Sequence, residues 1–554
     1  MAVLGRPRQV ARRARAEVAV ASVLDKRLGA LPVVAGFVRR LDLAGIIDRA
    51  CPVRQVAHAT HGQVIEVLVA NRLTSPAPLL HVSQWAAEWA VEEVFGVPPA
   101  VLGDDRLARA LDAIAPELDH IIGSVGAVAI AEFGLEVARL HWDMTSISLQ
   151  GAFEETEQGY PAPGWGHPKD RRTDLKQIQA GIAVTGDGGV PVFHRAFDGG
   201  AGEVSQVVGA MTSLREIAAK RDFLLVGDSK LVSWGNVAAM TGAGVAFIAP
   251  LASSRIPAGL LASLDVRAAQ PVDYIARRDA GKPPERRCAY HVTEDTMDLA
   301  GPRKRDRVQH LRRVLVHSTA NAAAASNARA LKLQRAGADL DKLVRTAGGR
   351  YHPDTAAVAR RIDQITRKRR VTAYLRTQIT TDPATGKPFL AWHYDQQALD
   401  EEAATDGWYA LLTNLDPADA DTAQVLIRYK GQPDVERRYG DFKGPLAVAP
   451  MFLKNNRRIA ALITVICLAL LVFCLVERQV RHALAPATDL AGFYAYDNRA
   501  VRPTGRLIFT ALSRIHLRAA RDDQPPLVLI PDPIQERLLQ LLKIDPTRPR
   551  WPTE

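Results

Sequence analysis

Cysteine is scarce in this chain: Cys51, Cys288, Cys467 and Cys474 are the only four in 554 residues, and no two form a CxxC pair. That excludes a disulfide framework and a thiolate zinc site, and it fits a reducing compartment. Acidic residues fall short of basic ones, 60 against 71, leaving +11 at pH 7. A surplus of that sign suits a polyanionic partner and excludes a solvating acidic chain. The N-terminus carries arginines but neither an apolar run of signal-peptide length nor a cleavage site, so a cytoplasmic protein is expected. No repeat of 20–50 residues is evident. Long hydrophobic runs are nearly missing. Only Ile459–Val476 (IAALITVICLALLVFCLV) goes 18 residues with no charge and a single polar residue, Thr464. Such a run sits at the lower edge of a spanning helix and reads equally as the central helix of a large α/β domain. The core reading is the expectation, because the run stands alone.

What is present is an ordinary globular composition, 47% hydrophobic and 24% charged, at a length that allows three to five domains. The charge is unevenly placed. From Gly301 to Thr380, 19 Lys and Arg stand against 5 Asp and Glu, an excess of 14, so the remainder nets −3. The basicity belongs to one segment.

The apolar spacing of residues 1 to about 130 is helical. It then turns to strands. Leu140–Leu149 (LHWDMTSISL) alternates, and Ile178–Thr185 and Val190–Ala196 are joined by the turn GDGG, which predicts a hairpin. A helix over Val204–Lys220 leads to the short apolar strand Phe223–Val226, then Gly227 and Asp228, a helix over Leu231–Met240 and a strand over Gly244–Ala249. Between Pro250 and Asp406 the regularity weakens, with a helix expected around Arg303–Arg335. Strand character returns at Gly407–Asn414 and helices follow over Thr422–Lys430 and Asp434–Lys443. Three antiparallel-type strands, a helix, a buried strand ending in Asp, a helix and a strand is the order of an RNase H-like fold. The fold class read from this is α/β: an RNase H-like mixed sheet with helices on both faces, an α-helical N-terminal domain and a large α+β insertion. The expected domains are 1–130, helical; 131–252 and 406–486, the two parts of the catalytic domain; 253–405, the basic insertion; and 487–554, a tail.

Two aspartates stand out chemically. Asp143 lies mid-strand among apolar residues, where an ionised carboxylate is expensive without a partner or a cation. Asp228 lies toward the carboxyl end of FLLVGDSK, just past a strand, where α/β sheets place ligands, although an Asp there also serves as a helix cap. Paired carboxylates of this kind are the hard ligands that magnesium-dependent phosphoryl transfer uses.

Tyr429, Gln432, Glu436 and Lys443 follow at spacings of 3, 4 and 7 within YKGQPDVERRYGDFK. This resembles the signature of the DDE transposases of bacterial insertion sequences, in the insertion-sequence-four superfamily with its Tyr-Arg-Glu-Lys pattern. Gln432 stands where that pattern has Arg, which loses a bidentate phosphate contact, and Pro433 predicts a break in the helix. HWDMTS and VGDSK resemble the first two acidic motifs of the same group, and the intervals of 85 and 208 residues between Asp143, Asp228 and Glu436 match its insertion before the glutamate.

The resemblance implies a catalytic and metal-binding trio of Asp143, Asp228 and Glu436 holding two Mg2+, with Mn2+ as a substitute. The substrate would be double-stranded DNA, the terminal inverted repeats and a target, cut and rejoined by a homodimer in the bacterial nucleoid. Tyr429, Gln432 and Lys443 would contact DNA phosphates near the cut. Lys169, Arg171 and Arg172, in the loop after the first strand, and Arg367, Lys368, Arg369 and Arg370, in the basic segment, are further candidates for the phosphate backbone, as is Arg303–Arg313. Two other readings stay open: a catalytically silent or domesticated DNA-binding protein, and a structure-specific nuclease.

Overall fold

A computed structural model of the chain describes residues 25–53, 57–154, 156–219, 221–431, 433–448, 451, 453–494, 497, 499–518, 527–529 and 532–546. Eleven strands are labelled here: β1 (Arg139–Leu149), β2 (Lys176–Thr185), β3 (Pro191–Phe197), β4 (Leu224–Val226), β5 (Ala246–Pro250), β6 (Gln270–Val272), β7 (Tyr290–Leu299), β8 (Gln309–Ser318), β9 (Leu375–Thr381), β10 (Pro388–Tyr394) and β11 (Trp408–Thr413). The helices used below are α1 (His61–Thr74), α2 (Glu203–Ile217), α3 (Thr319–Thr346), α4 (Thr355–Arg369), α5 (Thr422–Tyr429), α6 (Pro433–Lys443), α7 (Asn456–Leu484) and α8 (Gly505–Leu512). The chain is mixed α/β and divides into two compact units, one of residues 1–227, 242–245 and 431–554, the other of 228–241 and 246–430.

In the first unit the strands run in the order β3-β2-β1-β4. β1 pairs antiparallel with β2, β2 antiparallel with β3, and β1 parallel with β4, so the sheet is mixed. The β2–β3 turn uses Gly188 and Gly189 at φ 98° and 63°, a conformation that admits glycine without strain. Helix α7 is the apolar run seen in the sequence, extended at both ends. The Asn455 side chain accepts from the backbone N–H of Arg457 and Arg458 and so caps it. Among the described residues two helical stretches, Asp104–Glu132 and α7, are long and apolar enough to cross a membrane. The apolar window of α7 is 100% buried inside the protein, as a core helix is. α1 packs against it and is itself buried from Val64 to Leu73. Its start is set by a capping box, with Gln63 N–H donating to Thr60 Oγ1 and Thr60 N–H to Gln63 Oε1.

In the second unit β5, β11, β8, β7 and β6 form an antiparallel series in that order. Helices α3 and α4 pack with the β9–β10 hairpin around Leu340, Leu343, Val358, Ile362, Ile365, Leu375 and Leu390. The helix expected around Arg303–Arg335 is corrected here: its first part is turn and strand β8, and the helix begins only at Thr319. The arginines that read as a helical face are cross-strand partners. Arg312 and Arg313 pair with Glu294 and Asp295 of β7 at 2.7 and 2.5 Å, which satisfies them within the sheet.

Candidate functional site

Strand β1 is buried at eight of its eleven positions, and Asp143 is the half-buried residue nearest its middle. Its carboxylate is held in place from two sides. Met144 N–H donates to Asp143 Oδ1 at 2.8 Å, and Lys169 Nζ lies 3.6 Å from Oδ2. Lys169 is returned to the strand by its own loop: its N–H donates to Ser146 Oγ and its ammonium to the Met144 carbonyl. The cation expected on that loop therefore stands beside the aspartate.

Asp228 follows β4 by two residues. In the parallel register His141 faces Val226, so the backbone carries Asp228 on toward the level of Asp143. It caps the 229–231 turn, Lys230 N–H donating to Oδ1 at 2.9 Å, so the capping job the sequence allowed is one it performs. Glu203 opens helix α2. Asp143, Glu203 and Asp228 are all half-buried, and each offers a carboxylate oxygen within 4.8 Å of the others. Three carboxylates this close repel one another unless a proton or a cation intervenes. Oxygen donors with no His or Cys among them fit a hard divalent ion such as Mg2+ or Mn2+.

Glu203 is absent from the sequence reading. An acidic residue in a first helical turn is ordinary dipole complementarity, and AGEVSQ carries no other signal. Glu436 is not part of the group. It is exposed on α6, one turn from a tyrosine that touches Asp143's own strand: Tyr439 O–H donates to the Asp143 carbonyl at 2.5 Å. Val435, Tyr439 and Phe442 form the buried face of α6, while Glu436, Gly440 and Lys443 line the open one. Burial, and then the Asp143 charge, push the Tyr439 hydroxyl well above its ordinary pKa, so it remains a neutral donor. The Lys443 ammonium is lowered first by desolvation and then by Lys169, against the pull of Asp170 and Asp143. Asp143, Lys169 and Lys443 thus share one electrostatic neighbourhood.

Pro433 begins α6 and Tyr429 ends α5, so the break expected at the proline is present. Tyr429 is half-buried and lies near Tyr409, whose hydroxyl is pushed up first by burial and then by Tyr429; Gln432 lies outside the described residues. Arg171 and Arg172 are exposed, Arg172 making a two-point contact with Asp174. At the end of α4, Arg367 pairs with Asp363 and Arg369 with Asp339. Lys368 and Arg370 are exposed and make no ion pair among the described residues.

Residues 23–121 match the family model of a domain of unknown function, DUF4277. No curated protein matches the chain. Among solved structures it is similar to a piggyBac transposase in a synaptic complex with hairpin DNA, seen by cryo-EM, at 8% identity and a TM-score of 0.37. That alignment covers 86% of this chain and 79% of the other.

Proposed function

We propose that the protein is a DNA transposase of the DDE type, with an RNase H-like core, that cleaves the ends of an insertion sequence and joins the freed 3′-hydroxyl to target DNA. The observation that carries this reading is the group Asp143, Glu203 and Asp228, three carboxylate oxygens within 4.8 Å of one another. Asp143 and Asp228 are the two aspartates whose motifs resemble the family's. Bound Mg2+ would neutralise phosphate charge and lower the pKa of the attacking water or hydroxyl. The chain's own groups do the rest. Asp143, Asp228 and Glu203 would hold the ion, and Glu436, outside that group on the open face of α6, would complete the centre when DNA is bound. Lys169 and Lys443 bring positive charge to the scissile phosphate as point charges. Tyr439 fixes the main chain of Asp143 against α6, and Tyr429 and Gln432 contact DNA beyond it. Two copies of the chain, one per transposon end, act together on the nucleoid.

The test is cleavage of duplex DNA carrying the native flanking repeats. Nicking at the repeat end is expected with Mg2+ or Mn2+ and should vanish with EDTA, returning when the metal is restored. Metal-independent cutting, or no cutting of end-containing DNA under any divalent ion, would overturn the reading.

The basic segment makes a separate contribution. Lys368→Ala with Arg370→Ala should weaken binding to all sequences and reduce the slope of log K against log salt by up to ~1.8, at ~0.9 per phosphate contact. Arg367→Ala with Arg369→Ala should change the slope less, because Asp363 and Asp339 already satisfy those guanidinium groups. Anisotropy titrations across a salt series measure both, and equal slopes for wild type and the first pair return the segment to a solvated face.

A further inference from the structure

We propose that the first unit carries a second binding site, a pocket for a small apolar carboxylate built around Arg72. Four arginines among the described residues are buried to 9% exposure or less: Arg72, Arg313, Arg329 and Arg438. Three of them face a carboxylate, Arg313 at Asp295, Arg329 at Asp406 and Arg438 at Glu477. Arg72 is the exception. It is 7% exposed, its Nε has no hydrogen-bond partner, and no ion pair reaches it among the described residues. Burying a guanidinium without a counter-charge is costly, and a fold that keeps one has left it for something else to neutralise.

The side chain lines a cavity of about 470 Å³, within the range of small-molecule sites. Leu79, Val448, Met451, Leu462 and Ile466 make apolar walls, and the only other charged lining residue among the described ones, Asp104, is exposed. The wall that follows α1 is held in shape. Asn71, fully buried, donates Nδ2–H to the Ser75 carbonyl at 3.0 Å and accepts from Ala77 N–H at 3.2 Å. Pro76 and Pro78 flank Ala77 and have no N–H to offer an anion, so Arg72 supplies the charge alone.

One planar guanidinium in an apolar pocket selects the ligand. Its fork matches a carboxylate through two parallel N–H donors. A phosphate would carry further charge and oxygens against hydrocarbon, which the walls cannot satisfy. The ligand is therefore a monocarboxylate with an alkyl or aryl body. One wall falls within residues 23–121, so the site gives that matched domain a chemistry of its own. It does not depend on the proposed nuclease centre.

The probes are sodium octanoate, 1-octanol and inorganic phosphate, each added at millimolar concentration to the full chain and followed by thermal unfolding and calorimetry. Octanoate should raise Tm with dose, while octanol and phosphate should not. Arg72→Met should weaken octanoate binding at least tenfold, and without ligand it should melt no lower than wild type, since it removes an uncompensated buried charge. Leu79→Trp, which narrows the cavity and leaves Arg72 in place, should also weaken octanoate. Equal shifts from octanol and octanoate, an unchanged octanoate shift in Arg72→Met or Leu79→Trp, or a ligand-free Arg72→Met that melts well below wild type would each overturn the site. The last would make Arg72 a structural residue.

Discussion

Asp143→Asn is expected to reduce strand cleavage by ~10³-fold or more, about 4 kcal/mol of transition-state stabilisation, while DNA affinity stays within about twofold, because phosphate contacts elsewhere supply it. Asn keeps the shape of the side chain and its hydrogen bond from Met144 N–H, but it removes the charge that Lys169 and a divalent ion both answer. Asp228→Asn should lose as much, and its cap on Lys230 N–H survives in Asn, so the loss cannot be assigned to folding. The two glutamates separate by readout. Glu203→Gln should raise the Mg2+ concentration for half-maximal cleavage by about tenfold or more, as weakened ligand shells do. Glu436→Gln, on the open face of α6, should abolish cleavage at every Mg2+ concentration. Cleavage near the wild-type rate in the Asp143 or Asp228 variant would sink the metal centre. A Glu436 variant that cuts normally beside a dead Glu203 variant would move the third catalytic carboxylate to α2.

How much of this was legible in the sequence depended on whether a residue's partner lay close to it in the chain. The alternation of LHWDMTSISL, the GDGG turn and the 18-residue apolar run are local patterns, and β1, the β2–β3 hairpin and α7 stand where those patterns put them. The proline break before α6 is equally local. β7 and β8 were not legible, because their charged residues make sense only as pairs across strands, Glu294 with Arg312 and Asp295 with Arg313. Taken singly, the same arginines pass for a solvated helix face. Glu203 failed for a similar reason: its companions are 60 and 25 residues away, and its own neighbourhood is that of any helix start. Arg72 shows the limit most clearly. A lone arginine near a helix end reads as a side chain reaching for water, and only the burial of the side chain, with Nε unpartnered, says otherwise.

Glu477→Ala is expected to lower the unfolding free energy by about 3–5 kcal/mol, the cost of leaving buried cations without their anion. Glu477, 2% exposed on α7, receives Arg438 Nη2 at 2.9 Å, Arg481 Nη1 at 2.6 Å and Arg437 Nη2 at 3.2 Å, and its second oxygen accepts from Gly505 N–H at the start of α8. Arg438, fully buried, goes on to donate to the carbonyls of Gly188 and Gly189 in the β2–β3 turn. One carboxylate therefore ties α6, α7, α8 and the hairpin together. Burial pushes its pKa up, but Arg438, Arg481 and Arg437 outweigh that and hold it below the ordinary value. A folded pKa under the unfolded one means the contribution is fully present above the unfolded value and fades as pH falls through the folded one. Urea melts should accordingly show wild type losing more stability than Glu477→Gln as the pH is lowered below about 4.5, the ordinary glutamate value. Pairing Glu477→Leu with Arg438→Met should recover part of the loss, since both buried charges go together. An alanine variant within about 1 kcal/mol of wild type would show the network to be dispensable. Because Arg438 stands on the helix that carries Glu436, Tyr439 and Lys443, the same variant should also lose cleavage. Recovery of stability in the double variant without recovery of cleavage would show that the network positions α6 as well as stabilising it.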